Sequence, residues 1–180
     1  LREENRTLQL RVDQLETQMR SGNLVFHGVP ESSYAEAASV ASKDGGGQRP
    51  SSRQDTVKAV IECCRKKLDL EISERDITAG FRVQGLKNAP RPIVVTFASR
   101  LVRDRIYELR RLLRKQDTAQ RVYINEHLTK KNADIFSKGR KLFKEKRIAS
   151  IWTWNGAVFV RRAESDRPTR VLSLEEVENF

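Results

Sequence analysis

The chain has only two cysteines in 180 residues, adjacent at Cys63 and Cys64. Neighbouring cysteines rarely bridge each other and no second pair exists, which excludes a disulfide framework and any zinc-type spacing. A reducing compartment is expected. Histidine is as scarce: His27 and His127 stand far apart, and neither has a metal-ligand neighbour at useful spacing. No metal and no cofactor is expected. No apolar run of about 18 residues exists, which excludes a membrane-spanning helix. The start has no signal-peptide pattern. There is no glycine-rich phosphate loop closing on Lys-Ser/Thr and no nucleophile elbow. Asp69, Glu71, Glu74 and Asp76 cluster at a helix end and turn, and read as solvated. Catalysis finds little support, and the chain is expected not to be an enzyme.

What the chain has is positive charge. Lys and Arg number 35 against 24 Asp and Glu, a formal net charge of +11. The excess is uneven. Residues 1–22 carry four basic and four acidic groups, 23–120 carry 18 and 12, 121–162 carry 11 and 3, and 163–180 carry 2 and 5. A charge concentrated in one stretch points to a binding face for RNA, DNA or another anionic surface. The length suits one or two small domains.

Residues 1–22 read as the end of a coiled coil. Leu1, Leu8 and Leu15 recur every seven residues, and Asn5, Val12 and Met19 follow each by four. The leucines make a d series and the others an a series, in which a polar Asn fixes register at a cost in stability. Arg11 falls at g and Glu16 at the next e, so a pair can close between neighbouring helices. This Arg-apolar-x-x-apolar-Glu pattern resembles the motif of three-stranded coiled coils, and the resemblance implies a homotrimer. Gly22 is expected to end the helix. Because Leu1 already lies inside the repeat, the chain is expected to be a fragment of a longer one.

From Asn23 to Asn125 the pattern alternates. Asn23–Pro30 reads as a strand and its turn, 31–53 as a flexible loop rich in Ser, Ala and Gly, and Asp55–Leu70 as a helix. Ile77–Gln84 and Pro92–Phe97 read as strands, Arg100–Lys115 as a helix and Arg121–Asn125 as a strand. Strand–helix–strand–strand–helix–strand is the split ferredoxin-like order shared by RNA-recognition-motif (RRM) domains. The predicted class is α+β: a coiled-coil helix (1–22), an RRM-like βαββαβ domain (23–127), and a small C-terminal α+β domain with a β-hairpin (128–180). In that last segment Thr129 is an N-cap candidate, Lys130–Arg147 a helix, Ser150–Arg162 a hairpin turning at Asn155-Gly156, and 173–180 a short acidic helix.

Three constellations carry binding chemistry. Arg100, Arg103, Tyr107, Arg110 and Arg114 step by three and four along one helix face, with Arg111 beside them. Lys130, Lys131, Lys138, Arg140, Lys141, Lys144, Lys146 and Arg147 crowd the next helix against only Asp134 and Glu145, a density that calls for anions. A two-residue turn sets Trp154 opposite Ala157, Trp152 opposite Phe159 and Ser150 opposite Arg161, all on one side of the hairpin; Ile151, Thr153, Val158 and Val160 share the other. If the aliphatic side packs, Trp152, Trp154, Phe159 and Arg161 form a stacking platform flanking the basic helix. If the aromatic side packs, they are core. On the RRM-like sheet the main stacking positions hold Val25, Pro92 and Val94, so direct base readout there is not expected. Binding through phosphates, with weak sequence selectivity, is.

The run Arg20-Ser21-Gly22-Asn23-Leu24-Val25-Phe26-His27-Gly28-Val29-Pro30-Glu31, the block Arg91–Phe97 and the junction Tyr123–Lys131 together resemble the RNA-binding protein of the first open reading frame of LINE-type (non-LTR) retrotransposons. The resemblance implies a trimer whose arms each carry an RRM and a C-terminal domain. It also implies nucleic-acid chaperone activity on single-stranded RNA and DNA, and residence in cytoplasmic ribonucleoprotein particles and also in the nucleus. The implied nucleic-acid ligands include Lys130, Lys131, Trp152 and Trp154, and Arg20 is a further candidate. Two other readings stand beside it: an oligomeric protein-interaction scaffold, and a cryptic hydrolase.

Overall fold

A computed structural model describes residues 1–31, 53–115 and 121–180. The loop expected over 31–53 lies outside the described residues except for Glu31 and Arg53. The chain is mixed α+β and divides into two compact units, one of Gly22–Asn125 and one of Leu1–Ser21 with Glu126–Phe180. Among the described residues, no helix is long and apolar enough to cross a membrane.

The first unit holds β1 (Asn23–His27), α2 (Arg53–Leu68), β2 (Ile77–Arg82), β3 (Ile93–Phe97), α3 (Arg100–Leu109) and all but the last residue of β4 (Tyr123–Glu126); α1 (Arg2–Arg20) belongs to the other unit. Its sheet has the order β2-β3-β1-β4, with β3 antiparallel to both β1 and β2. Alternation decides which side is buried: Leu24, Phe26, Ile93, Val95 and Phe97 point one way, into a core with Val60, Cys64 and Leu68 of α2 and Ile106 of α3. Val25 and Val94 sit opposite each other on the other side, with Phe81 opposite Val94 on β2. The α-helical bonding expected to reach Lys115 stops at Leu109 and continues as a 3-10 segment, Arg110–Lys115. The Arg110 guanidinium donates to the Tyr107 carbonyl, the acceptor that residue 111 would use in an α-helix.

Two contacts fix the ends of this sheet. Gly28 has φ +77°, and a Cβ there would stand 2.1 Å from the Arg121 carbonyl oxygen. Arg91 grips Glu31 through Nε at 3.1 Å and Nη2 at 2.9 Å, a forked carboxylate pair. Arg82 donates to the carbonyls of Val29 (3.1 Å), Pro30 (2.7 Å) and Arg91 (2.7 Å).

The second unit begins with α1 (Arg2–Arg20) and continues with α4 (Lys130–Lys144), β5 (Ser150–Trp154), β6 (Ala157–Arg161), β7 (Thr169–Val171) and α5 (Leu174–Glu178). Thr129 caps α4: its Oγ1 accepts the Asn132 N–H at 3.2 Å. Beyond α4, Lys146 takes φ +59°. Its N–H donates to Phe143 O at 3.1 Å, and that of Arg147 to Leu142 O at 3.0 Å. This is the left-handed closure usually given to glycine. β5, β6 and β7 form an antiparallel sheet with the expected hairpin register, turning at Asn155 (φ 51°) and Gly156 (φ 76°).

Two differences from the sequence expectation stand out. α1 ends at Arg20, and Ser21 closes it in right-handed conformation with its N–H on Gln18 O at 3.1 Å. Gly22 is not left-handed, so it is not the helix-ending residue expected. Strand β7 was not anticipated: three residues beside Pro168 are too short to show alternation.

Two outcomes follow. Gly28→Ala meets both a left-handed backbone and a carbonyl oxygen, and is expected to lower unfolding free energy by about 2 kcal/mol or more in a denaturant titration. The Arg91 hydrogen bond holds the Glu31 carboxyl down at about 2, against an ordinary 4.5. Because the folded pKa is depressed, the pair's stabilisation is present above the ordinary glutamate range and is lost as pH falls through about 2. Glu31→Gln should therefore cost about 0.5–1 kcal/mol at neutral pH, solvent screening included, and nothing below about pH 2.

Candidate nucleic-acid interface

The hairpin of the second unit settles which side packs. Val158 and Val160 are fully buried, and Ile151 lies against them in a core with Ile135 and Leu142 of α4 and Val171 of β7. The helix comes close because residue 139 is glycine: a Cβ there would meet Ile151 Cδ1 at 2.2 Å. Alternation then turns the aromatic side away from α4. Trp154 is 61% exposed. Trp152 and Phe159 are half-buried, their rings stacked at 6.0 Å and 16°. The Arg161 guanidinium lies 5.7 Å over the Trp152 ring, and its Nε is buried with no hydrogen-bond partner among the described residues.

β7 adds a residue that sequence reading missed. Arg170 pairs with Phe159 and is exposed. One row thus runs Trp152–Phe159–Arg170 across three strands, with Arg161 and Trp154 in the adjoining rows. The available signal was Thr169 and Val171, a β-branched pair around one arginine. The row offers flat rings for unpaired bases and guanidinium groups for the phosphates between them.

α4 carries the basic density, but two of its expected phosphate ligands are engaged. Lys131 pairs with Asp13 of α1, and Lys138 with Glu178 of α5 at 2.8 Å. Lys130, Arg140, Lys141 and Lys144 are exposed, as are Lys146 and Arg147 beyond the helix, and no ion pair engages them among the described residues. Being opposite to the buried Ile135, Gly139 and Leu142, this cationic row points away from the sheet. The tryptophans therefore do not flank the basic helix face as expected. The packed layer of helix and sheet stands between the two.

In the first unit the α3 stripe is only partly external. Arg100 is exposed and lies 3.6 Å from Asp104. Arg103 is 2% exposed and bonds Asp104 at 2.8 Å. Tyr107, also buried, has the Arg103 guanidinium at 5.0 Å and that of Arg110 at 3.5 Å from its ring. Arg111 and Arg114 of the 3-10 segment are exposed. The expectation of one outward comb is corrected. Spacing by three and four places residues on one face, but weakly hydrated guanidinium groups set against a phenol ring can turn that face inward. On the side of the sheet away from the helices, Val25 and Val94 carry no ring, as read from sequence, and Pro92 precedes β3. Phe81 on β2 (51% exposed) and Tyr123 on β4 (52%) supply exposed aromatics there instead.

α1 presents two different sides. Asp13, Glu16, Thr17 and Arg20 are half-buried. Asp13 meets Lys131, and Thr17 Cγ2 would lie 2.7 Å from a Cβ on Gly156. Arg20 bonds the Glu16 carboxylate at 3.4 Å, so Glu16 is held within its own helix. Leu1, Leu8, Val12, Leu15 and Met19 are exposed, as are Asn5 and Arg11, leaving the whole heptad stripe uncovered within the chain.

Groups that could do chemistry are quiet. Burial raises the Cys63 thiol to about 11 and the Cys64 thiol to about 12, so neither is a thiolate at neutral pH. Burial lowers the pKa of both His27 and His127, with the nearby Arg20 adding to the effect on His127. A pocket of about 360 Å³ opens beside β2, lined by Arg53, Arg82 and Arg91 among others. Each of these arginines already bonds protein: Arg53 the Thr78 carbonyl, Arg82 three carbonyls and Arg91 Glu31. Among the described residues no group of three His, Cys, Asp or Glu is placed to hold a metal ion.

Both tryptophans of the chain lie on the hairpin's aromatic side, so selectively excited tryptophan fluorescence reports on it alone. Trp154→Phe is expected to remove most of the acrylamide-quenchable emission, and Trp152→Phe the smaller, more protected part. Equal quenching of both would place the aromatic side differently. Compared with known proteins, the chain matches no family model and no curated sequence.

Proposed function

We propose that this chain is a non-enzymatic, weakly sequence-selective binder of single-stranded RNA and DNA. It would act as a nucleic-acid chaperone in ribonucleoprotein particles, as its resemblance to the first open-reading-frame proteins of LINE-type retrotransposons implies. One observation carries the reading. The aliphatic side of the hairpin is buried, which leaves Trp152, Trp154 and Phe159 on the open side with Arg161 and Arg170. Adjacent rings with arginines beside them suit unpaired bases, because every base has a π-face and only an unstacked one can use it. The exposed cations of α4 supply the backbone attraction, which carries no sequence information.

The strand order β2-β3-β1-β4, with a helix following β1 and another following β3, supports the ferredoxin-like, RRM-type reading of the first unit. The uncovered Leu1, Leu8, Val12, Leu15 and Met19 stripe supports the homotrimer: an apolar seam of this length is unfavourable in water unless another copy covers it. The sides do not conflict, because the residues that meet the rest of the second unit, Asp13 and Thr17, lie outside the a and d positions.

Alanine at Arg140, Lys141 and Lys144 together is expected to weaken single-strand binding and to flatten the log–log salt dependence by about 0.7 for each phosphate contact removed. Unchanged affinity and slope would reject the assignment. Light scattering on a chain with the full heptad repeat should give a trimeric mass, and Leu8→Asp with Leu15→Asp a monomeric one.

A further inference from the structure

We propose that the second unit holds two nucleic-acid strands at once, one by its bases on the open side of the β5-β6-β7 sheet, the other by its phosphates on the outer face of α4. The inference rests on the nucleic-acid reading and extends it from a single surface to two. Val158, Val160 and Val171 face α4 and are buried with Ile135 and Leu142, and half-buried Ile151 packs against them, so the sheet's other side and the helix's other side look in opposite directions. A helix with its side chains is about 10–12 Å across, and the sheet adds its own thickness. A strand of a few nucleotides cannot lie on both.

The two surfaces also differ in chemistry. The sheet side has stacked rings at Trp152 and Phe159, an exposed Trp154, and guanidinium groups at Arg161 and Arg170. Such a surface selects bases that are free to stack. The outer face of α4 has Lys130, Arg140, Lys141 and Lys144 with Ala133, Asp134 and Ser137 among them, a mostly positive face with one exposed ring, Phe143, at its edge. It holds phosphates, paired or unpaired. The cations nearest the sheet on this helix, Lys131 and Lys138, are tied to Asp13 and Glu178. These ion pairs interrupt the positive charge between the two surfaces, so the surfaces do not merge into one groove. A unit that stacks the bases of one strand while gripping the backbone of another holds the two close together, as strand annealing requires.

The test titrates the full chain with an oligouridylate of about four nucleotides, the short end of single-strand site sizes, following heat and tryptophan quenching together. Two equivalents per chain are expected. Trp154→Ala with Arg170→Ala should leave one equivalent, strongly salt-dependent, and lose the quenching; affinity at the sheet side should fall about tenfold or more. Arg140→Ala, Lys141→Ala and Lys144→Ala together should also leave one equivalent, with quenching intact. All five side chains are exposed, so an unchanged melting temperature is expected for both variants. A single equivalent in the parent, abolished by either variant, would overturn the two-surface proposal and leave the nucleic-acid reading standing. No binding by the parent would overturn both.

Discussion

The second unit depends on the contact between Gly139 of α4 and Ile151 of β5. The missing Cβ lets the helix settle onto the sheet, and the aliphatic side of the hairpin fills the space with Ile151, Val158 and Val160. Everything on the other side follows from the two-residue period of a strand. Once the valines are inside, two tryptophans, a phenylalanine and two arginines must be outside or at the margin. Burying them instead would have put guanidinium groups in an apolar core, at a cost of several kcal/mol each.

The same packing sets the direction of the charge. α4 has one buried stripe, and its cations divide by where they stand relative to it. Those at its edge, Lys131 and Lys138, reach acidic partners on α1 and α5; those opposite it are exposed and form no ion pair among the described residues. Self-repulsion among Arg140, Lys141 and Lys144 is eased in part by their nearness to the helix C-terminus, where the backbone carbonyls favour positive charge. Lys146 holds a left-handed turn that glycine would hold with less strain. A cation there costs about 1–2 kcal/mol of backbone energy relative to an unstrained conformation and adds to the positive row.

Much of this was legible in the sequence where local rules act alone. The Asn155-Gly156 turn fixed the hairpin register residue for residue, because few sequences accept two consecutive left-handed positions. The Thr129 cap and the start of α4 were equally local. Which side of the hairpin packs was not legible: both sides are apolar, and the choice rests on a glycine in another element. The α3 stripe misled for a related reason, since arginine and tyrosine can be amphipathic core residues as well as ligands. β7 was too short to show a period, so Arg170 had no strand to be placed on. Ser21 could close α1 in right-handed conformation, and the expected glycine cap was not needed.

The central claim, that the chain grips unpaired strands by stacking and by charge, is met most directly by one comparison. Affinity for single-stranded and fully paired RNA of equal length would be measured across a salt series. The single strand is expected to bind more tightly, with a log–log salt slope of about −0.7 per phosphate contact. Equal or tighter binding of the duplex, or an affinity indifferent to salt, would contradict it.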